Sequence, residues 1–140
     1  MKIFPVALAL FYRKISDQKL EVWVQVRMDD GPFHGLLEFP GGGVEANEEP
    51  LEAAVREVQE EVGIEIKPHD GRFMGTYTNV LPTKSILLYV FLFPDQPTLE
   101  GKGQWLVIDQ ALSSQYQGKI PGPNHRIIDD LYRALYDDGL

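Results

Sequence analysis

Gly41-Gly42-Gly43-Val44-Glu45-Ala46-Asn47-Glu48-Glu49-Pro50-Leu51-Glu52-Ala53-Ala54-Val55-Arg56-Glu57-Val58-Gln59-Glu60-Glu61-Val62-Gly63-Ile64 is the stretch from which the rest of the chain can be read. Pro50 suits a first helical turn, where its missing N–H would lack a partner in any case. Gly63 suits the position just past a last turn, where a left-handed conformation costs it little. Between them Leu51, Val55, Val58 and Val62 fall in one narrow stripe at about 100° per residue. This spacing predicts a helix over Pro50 to Val62 whose stripe faces a sheet. Glu57, Glu60 and Glu61 stand at i, i+3 and i+4, which gathers them into one patch on the flank of the stripe. Like charges so close repel, and a cation set among them reverses that cost. Hard divalent ions take oxygen ligands, and Mg²⁺ binds through a few carboxylates, waters and substrate phosphate. The glycine run lets backbone approach the same spot, where its carbonyls could add a ligand. Taken alone, a Glu-x-x-Glu-Glu face is more often plain solvated surface.

Outward from this segment the pattern changes from helical to alternating. Leu20, Val22, Val24 and Val26 share one face of a half-buried strand, and Glu21, Trp23, Gln25 and Arg27 share the other. A first strand, about Phe4 to Tyr12, pairs with it across the polar turn Ser16-Asp17-Gln18-Lys19. Met28 to Gly35 reads as a loop, and Leu36 to Phe39 as a short extended piece stopped by Pro40 and the glycines. Beyond the helix, strands are expected at about Gly71 to Val80, Ser85 to Phe93 and Gln104 to Ile108. The second of these is apolar on both faces, as a strand covered on both sides should be. Ile127, Ile128, Leu131 and Leu135 mark a last helix over Asn124 to Asp137. The order β, β, β, α, β, β, β, α predicts an α/β fold, a mixed sheet with helices on its faces. With no repeat or long linker, residues 1–140 are read as a single domain.

Bulk properties exclude several classes. No apolar run approaches the roughly 20 residues that span a bilayer, so no membrane partner is expected. The apolar Val6 to Phe11 lacks a small-residue cleavage site and runs into Arg13 and Lys14, which predicts a strand and not a signal peptide. The sequence has no cysteine, which excludes disulfides and thiolate chemistry and fits a cytoplasmic address. His34, His69 and His125 are isolated and have no metal-ligand spacing. The net charge of −8 leaves no general affinity for duplex nucleic acid. An anionic substrate would need a divalent cation as a bridge, although an acidic surface also simply maintains solubility.

Gly42-x5-Glu48-x7-Arg56-Glu57-Val58-x-Glu60-Glu61-x-Gly63-Ile64 matches the Nudix box at every specified position, and the chain resembles that family over these 23 of its 140 residues. The β-α order outside the box is also similar to the Nudix α/β/α sandwich with its catalytic loop-helix-loop. The resemblance implies Mg²⁺-dependent hydrolysis of a nucleoside diphosphate linked to another group, with Mn²⁺ as a substitute. Carried over by position, Glu60 and Glu61 are metal ligands, Glu57 is a ligand or the base that activates water, and the Gly41 carbonyl completes the shell. Arg56 orients the glutamates with Glu48 as its partner, and Gly42, Glu48 and Gly63 support the box. A plain surface ion pair is the alternative for Arg56 and Glu48.

Three features resemble the MutT-like branch, which cleaves nucleoside triphosphates to monophosphate and pyrophosphate. Leu37-Glu38-Phe39-Pro40-Gly41-Gly42 is similar to its box entry, with Glu38 beside the substrate. Arg27 stands where that branch has an arginine facing the nucleotide. Pro121-Gly122-Pro123-Asn124 is similar to its segment ahead of the last helix, where asparagine reads a purine edge such as that of 8-oxo-dGTP. Asn124 at a helix start is equally a favoured N-cap, whose side chain would then be occupied. The chain departs from the branch at Gly43, where a polar residue is usual, and at Leu81-Pro82-Thr83-Lys84, which lacks an aromatic near the base. Glu100 resembles a further acidic residue, an extra ligand or base, with its spacing to Trp105 one short. Trp23 could stack on a base, but a half-buried strand tryptophan is the plainer expectation. Rival substrates are a triphosphorylated RNA 5′ end, a nucleotide sugar or a dinucleoside polyphosphate. A rival of another class is a silent nucleotide-sensing domain. A monomer or homodimer acting on a small nucleotide is expected.

Overall fold

Alternation along the first strand sorts its side chains into two sets, Ala7, Ala9 and Phe11 against Leu8 and Leu10, and both sets are buried. Such a strand must be covered on both faces. The computed structural model describes residues 2–17, 19–28, 35–109 and 122–136. Within them run β1 (Lys2–Lys14), β2 (Lys19–Val26), β3 (Leu37–Glu38), β4 (Gly41–Gly43), α1 (Pro50–Val62), β5 (Arg72–Val80), β6 (Lys84–Pro94), β7 (Gln104–Asp109) and α2 (Gly122–Tyr136). Residues 29–34 of the expected loop, with His34, lie outside the described residues, as do Gln18 of the turn, Pro121 and Asp137. No described helix is long and apolar enough to cross a membrane.

The sheet is mixed. β1 runs parallel to β6 along its length and antiparallel to β2 only at Tyr12–Lys14. β2 pairs antiparallel with β7 and, at Gln25–Val26, with β3. β5 pairs antiparallel with β6. On one side α1 covers Ala7, Ala9, Phe11, Trp23, Phe91 and Phe93. On the other, Ile127, Ile128, Leu131 and Leu135 of α2 cover Leu8, Leu10, Leu20, Val22, Val24, Leu88, Val90 and Leu92. The α/β/α sandwich expected from the element order is what forms.

Four expectations are corrected. Gly41–Gly43 is not a terminator but a short strand, paired with Val6–Leu8 of β1 in the place β2 vacates. The buried face of α1 is wider than its stripe: Ala53 and Ala54 are fully buried, while Leu51 and Val55 are only partly so. Ala53 lies one turn before Glu57, and small residues suit a helix that packs on β4 as well as on β1. Trp23 is fully buried, not half-buried, because the second face of β2 lies under α1. Its ring stands edge-on to Phe11 at 6.5 Å and 90°, a geometry that adds about 0.5–1.5 kcal/mol to area burial. It is therefore unavailable for stacking on a ligand. Val26, expected inside, is exposed at the end of its strand.

Candidate active site

The helix that carries the glutamates is fixed at both ends. The Glu52 carboxylate accepts the Glu49 N–H at 3.0 Å. Gly63 takes φ 81°, and its N–H donates to the carbonyls of Val58 and Gln59. Lys102 Nζ donates to the Val62 carbonyl at 3.1 Å, which places a cation at the negative end of the helix dipole.

Arg56 is the hub of the surrounding contacts. Its Nε and Nη2 donate to both oxygens of Glu48 at 2.7 and 3.0 Å, the paired geometry only a guanidinium offers. Nη2 also reaches the Gly43 carbonyl at 2.9 Å, and Nη1 reaches Glu57 at 3.0 Å and Glu60 at 3.3 Å. One side chain thus ties β4, the loop before α1 and two of the three clustered glutamates together, which a plain surface pair would not. The Arg56 guanidinium, followed by the Glu45 N–H, holds the Glu48 carboxyl down to about 2. A Cβ at Gly42 would run into the Glu57 carboxyl, with both oxygens at 2.6 Å, so this position needs glycine.

Glu61 turns the other way, accepting from Gln25 Nε2 at 2.7 Å and from the Gly41 N–H. The residue is exposed overall, yet its carboxyl lies against the sheet. Desolvation pushes that carboxyl up to about 7, and the charges of Glu57 and Glu38 push the same way. Among the described residues no three acidic or histidine side chains converge closely enough to hold an ion as they stand. Glu60 leans to Arg56 and Glu61 to Gln25, so coordination would require side-chain rotation. The donor chemistry nevertheless fits a hard divalent cation: neighbouring carboxylates and a backbone strand, with one carboxyl pushed toward protonation by desolvation and, after that, by the charges beside it.

Beside this cluster opens a cavity of about 590 Å³, in the range of small-molecule sites. One end is lined by Arg27, Glu38, Glu61 and Gly41–Gly43, the other by Phe4, Asn79, Ile86 and Asn124. Arg27 Nη1 stands 3.4 Å from Glu38 Oε2. Asn124 is only 7% exposed. The last helix begins at Gly122, so Asn124 sits inside its first turn and not at the cap. Glu100 is not brought to the cavity: it is 76% exposed and pairs with Arg13 at 3.4 Å. Gln25, Asn79 and Phe4 were not anticipated as site residues. Gln25 had a signal, since it shares the polar face of its strand with Arg27; Asn79 had none.

A model of the NUDIX domain matches residues 6–122. An 8-oxo-dGTP diphosphatase of Haemophilus influenzae is 31% identical over 123 residues, which cover 84% of this chain and 85% of that protein. The solution structure of the E. coli ORF135 protein superposes with a TM-score of 0.70 at 25% identity, covering 99% of this chain and 94% of that one. The crystal structure of MutT from Methanosarcina mazei Go1 superposes with a TM-score of 0.71, covering 96% of each chain; at 20% identity that likeness speaks to the fold alone.

Proposed function

The chain belongs to the Nudix family, as a MutT-like pyrophosphohydrolase acting on acid anhydrides, and from that premise we propose that it hydrolyses a purine nucleoside triphosphate, 8-oxo-dGTP foremost, to monophosphate and pyrophosphate. The observation that supports this reading best is that Asn124, buried and inside a helical turn, lines the same cavity as Glu38 and Glu61. An amide offers one donor and one acceptor, which can pair with a purine edge. Arg27 lies along the same wall, within reach of the anionic part of a nucleotide.

Glu57, Glu60, Glu61 and the Gly41 carbonyl would hold Mg²⁺, with Mn²⁺ as a substitute, and the ion would neutralise phosphate oxygens and lower the pKa of the attacking water. The protein's own part is positional. Arg56 holds Glu57 and Glu60 by one nitrogen, and β4 brings its backbone against Glu57. Water adds at the β-phosphorus, its proton passes to a carboxylate of the cluster, and the bridging oxygen leaves with the monophosphate.

Hydrolysis in ¹⁸O water should place the label in pyrophosphate; orthophosphate as a product would mean attack at the γ-phosphorus and would sink the branch reading. Glu61→Gln should cut kcat by about two orders of magnitude, as expected when a group stabilising transition-state charge is lost, with the melting temperature unchanged. Near-normal turnover in that variant would remove the patch as the active site.

A further inference from the structure

We propose that Asn79 is a specificity-determining residue that reads the base together with Asn124, so that the two amides select a purine over a pyrimidine; this rests on the reading of the cavity as a nucleotide site. Asn79 of β5 is in register with Ile86 of β6, and Ile86 with Phe4 of β1, so the three form one row across the sheet. All three line the cavity. Neighbouring strands lie about 4.8 Å apart, so the ends of the row are roughly 10 Å apart with Ile86 between them. Phe4 is 44% exposed, an aromatic that the sequence lacks in Leu81–Lys84. The row is thus an apolar floor with a ring at one side and an amide at the other, on the scale of a bicyclic base.

Asn124 belongs to the helix that roofs this floor. The Tyr77 hydroxyl donates to Asp130 Oδ2 at 2.7 Å, which fixes α2 against β5. Asn79 lies two residues beyond Tyr77, on the same side of its strand, and Asn124 lies nearly two turns before Asp130. At its other end α2 is tied by the Tyr136 hydroxyl to the Ser16 and Lys19 carbonyls, just past the end of β1. Its first turn therefore lies toward the start of β1, where Phe4 and Asn79 stand, and the two amides share that end, offered from different elements. A purine presents hydrogen-bonding groups on both rings, so each amide can take a separate edge. A pyrimidine, with one ring, leaves one of the two amides unmatched, and a polar group left unmatched by the wrong ligand is what produces discrimination.

The test is the ratio of kcat/KM for dGTP to that for dCTP, with Mg²⁺ and the full chain. Asn79→Ala should lower that ratio roughly ten-fold or more, the loss falling on dGTP and not equally on both nucleotides, with the melting temperature unchanged. Asn79→Leu keeps roughly the size but offers neither donor nor acceptor and should move the ratio the same way, so the test survives if the alanine variant misfolds. An unchanged ratio in both variants, or equal losses on both nucleotides, overturns the inference. Asn124→Ala measured alongside separates the two claims. If it alone flattens the ratio, Asn79 is not a reader and the nucleotide site stands. If no variant changes the ratio, the cavity does not read a base at all.

Discussion

At the scale of single residues the centre of the site is Arg56, and Glu48 is what holds Arg56 in place. The guanidinium reaches Gly43, Glu48, Glu57 and Glu60 from one position because its nitrogens are fixed in a plane. Lysine keeps the charge but cannot make the fork. Glu48 lies at about 2, below its ordinary 4.5. Because the folded value is depressed, its charge contributes stability that is fully present above 4.5 and is lost as pH falls toward 2. Glu48→Gln should therefore melt below the wild type at pH 7, with the gap closing as pH is lowered through this window. A gap that persists undiminished at the acid end would show that the Glu48 charge is not its source. The partnership of Arg56 with Glu48 was legible from the box. The separation of Glu61 from its neighbours toward Gln25 was not, because it depends on β2 passing alongside a helix distant in sequence.

At the scale of elements, α1 is the best-read part of the chain. Pro50 and Gly63 state its ends chemically, and the helix stops where they say. β4 is the worst-read part, because three glycines carry no side-chain pattern and only their pairing with Val6–Leu8 makes them a strand. That pairing seats the Gly42 backbone against Glu57, so Gly42→Ala tests element placement and not chemistry. The added methyl must displace either the strand or the carboxyl. A misplacement of about 1 Å in a catalytic group can cost a hundred-fold. Turnover should fall by that order while the melting temperature moves little. If activity is retained with only a loss of stability, Glu57 does not need its present position.

For the whole molecule, the alternating patterns predicted a sheet with helices on its faces, but they could not tell which strands are covered twice. Trp23 shows the difficulty: from the sequence it belongs to the polar face of β2, and it is α1, packed over that face, that buries it. The second helix adds to its apolar packing a polar tie between Tyr77 and Asp130. Burial, with the Asp130 carboxylate as its bonding partner, raises the Tyr77 hydroxyl above its ordinary 10.0. A raised folded value means that the native state keeps its proton longer than the unfolded chain does. Stability should then decline as pH climbs past 10, and Tyr77→Phe should flatten that decline. If the phenylalanine variant loses stability with pH as steeply as the wild type, ionisation of Tyr77 is not the source of the decline.

The parallel pairing of β1 with β6 also sets an order of events in folding. Lys2 meets Lys84 and Tyr12 meets Pro94, partners about eighty residues apart, so the entropy of closing that loop is spent before the ladder returns anything. Contacts of such long range belong to chains that fold in milliseconds to seconds. On the ribosome, at about 5–20 residues per second, β1 emerges several seconds before its parallel neighbour. It waits with apolar side chains on both faces, Ala7, Ala9 and Phe11 on one and Leu8 and Leu10 on the other. The strand that carries Phe4 into the cavity thus leaves the ribosome well before the neighbour it pairs with along its length, and is exposed to aggregation in between.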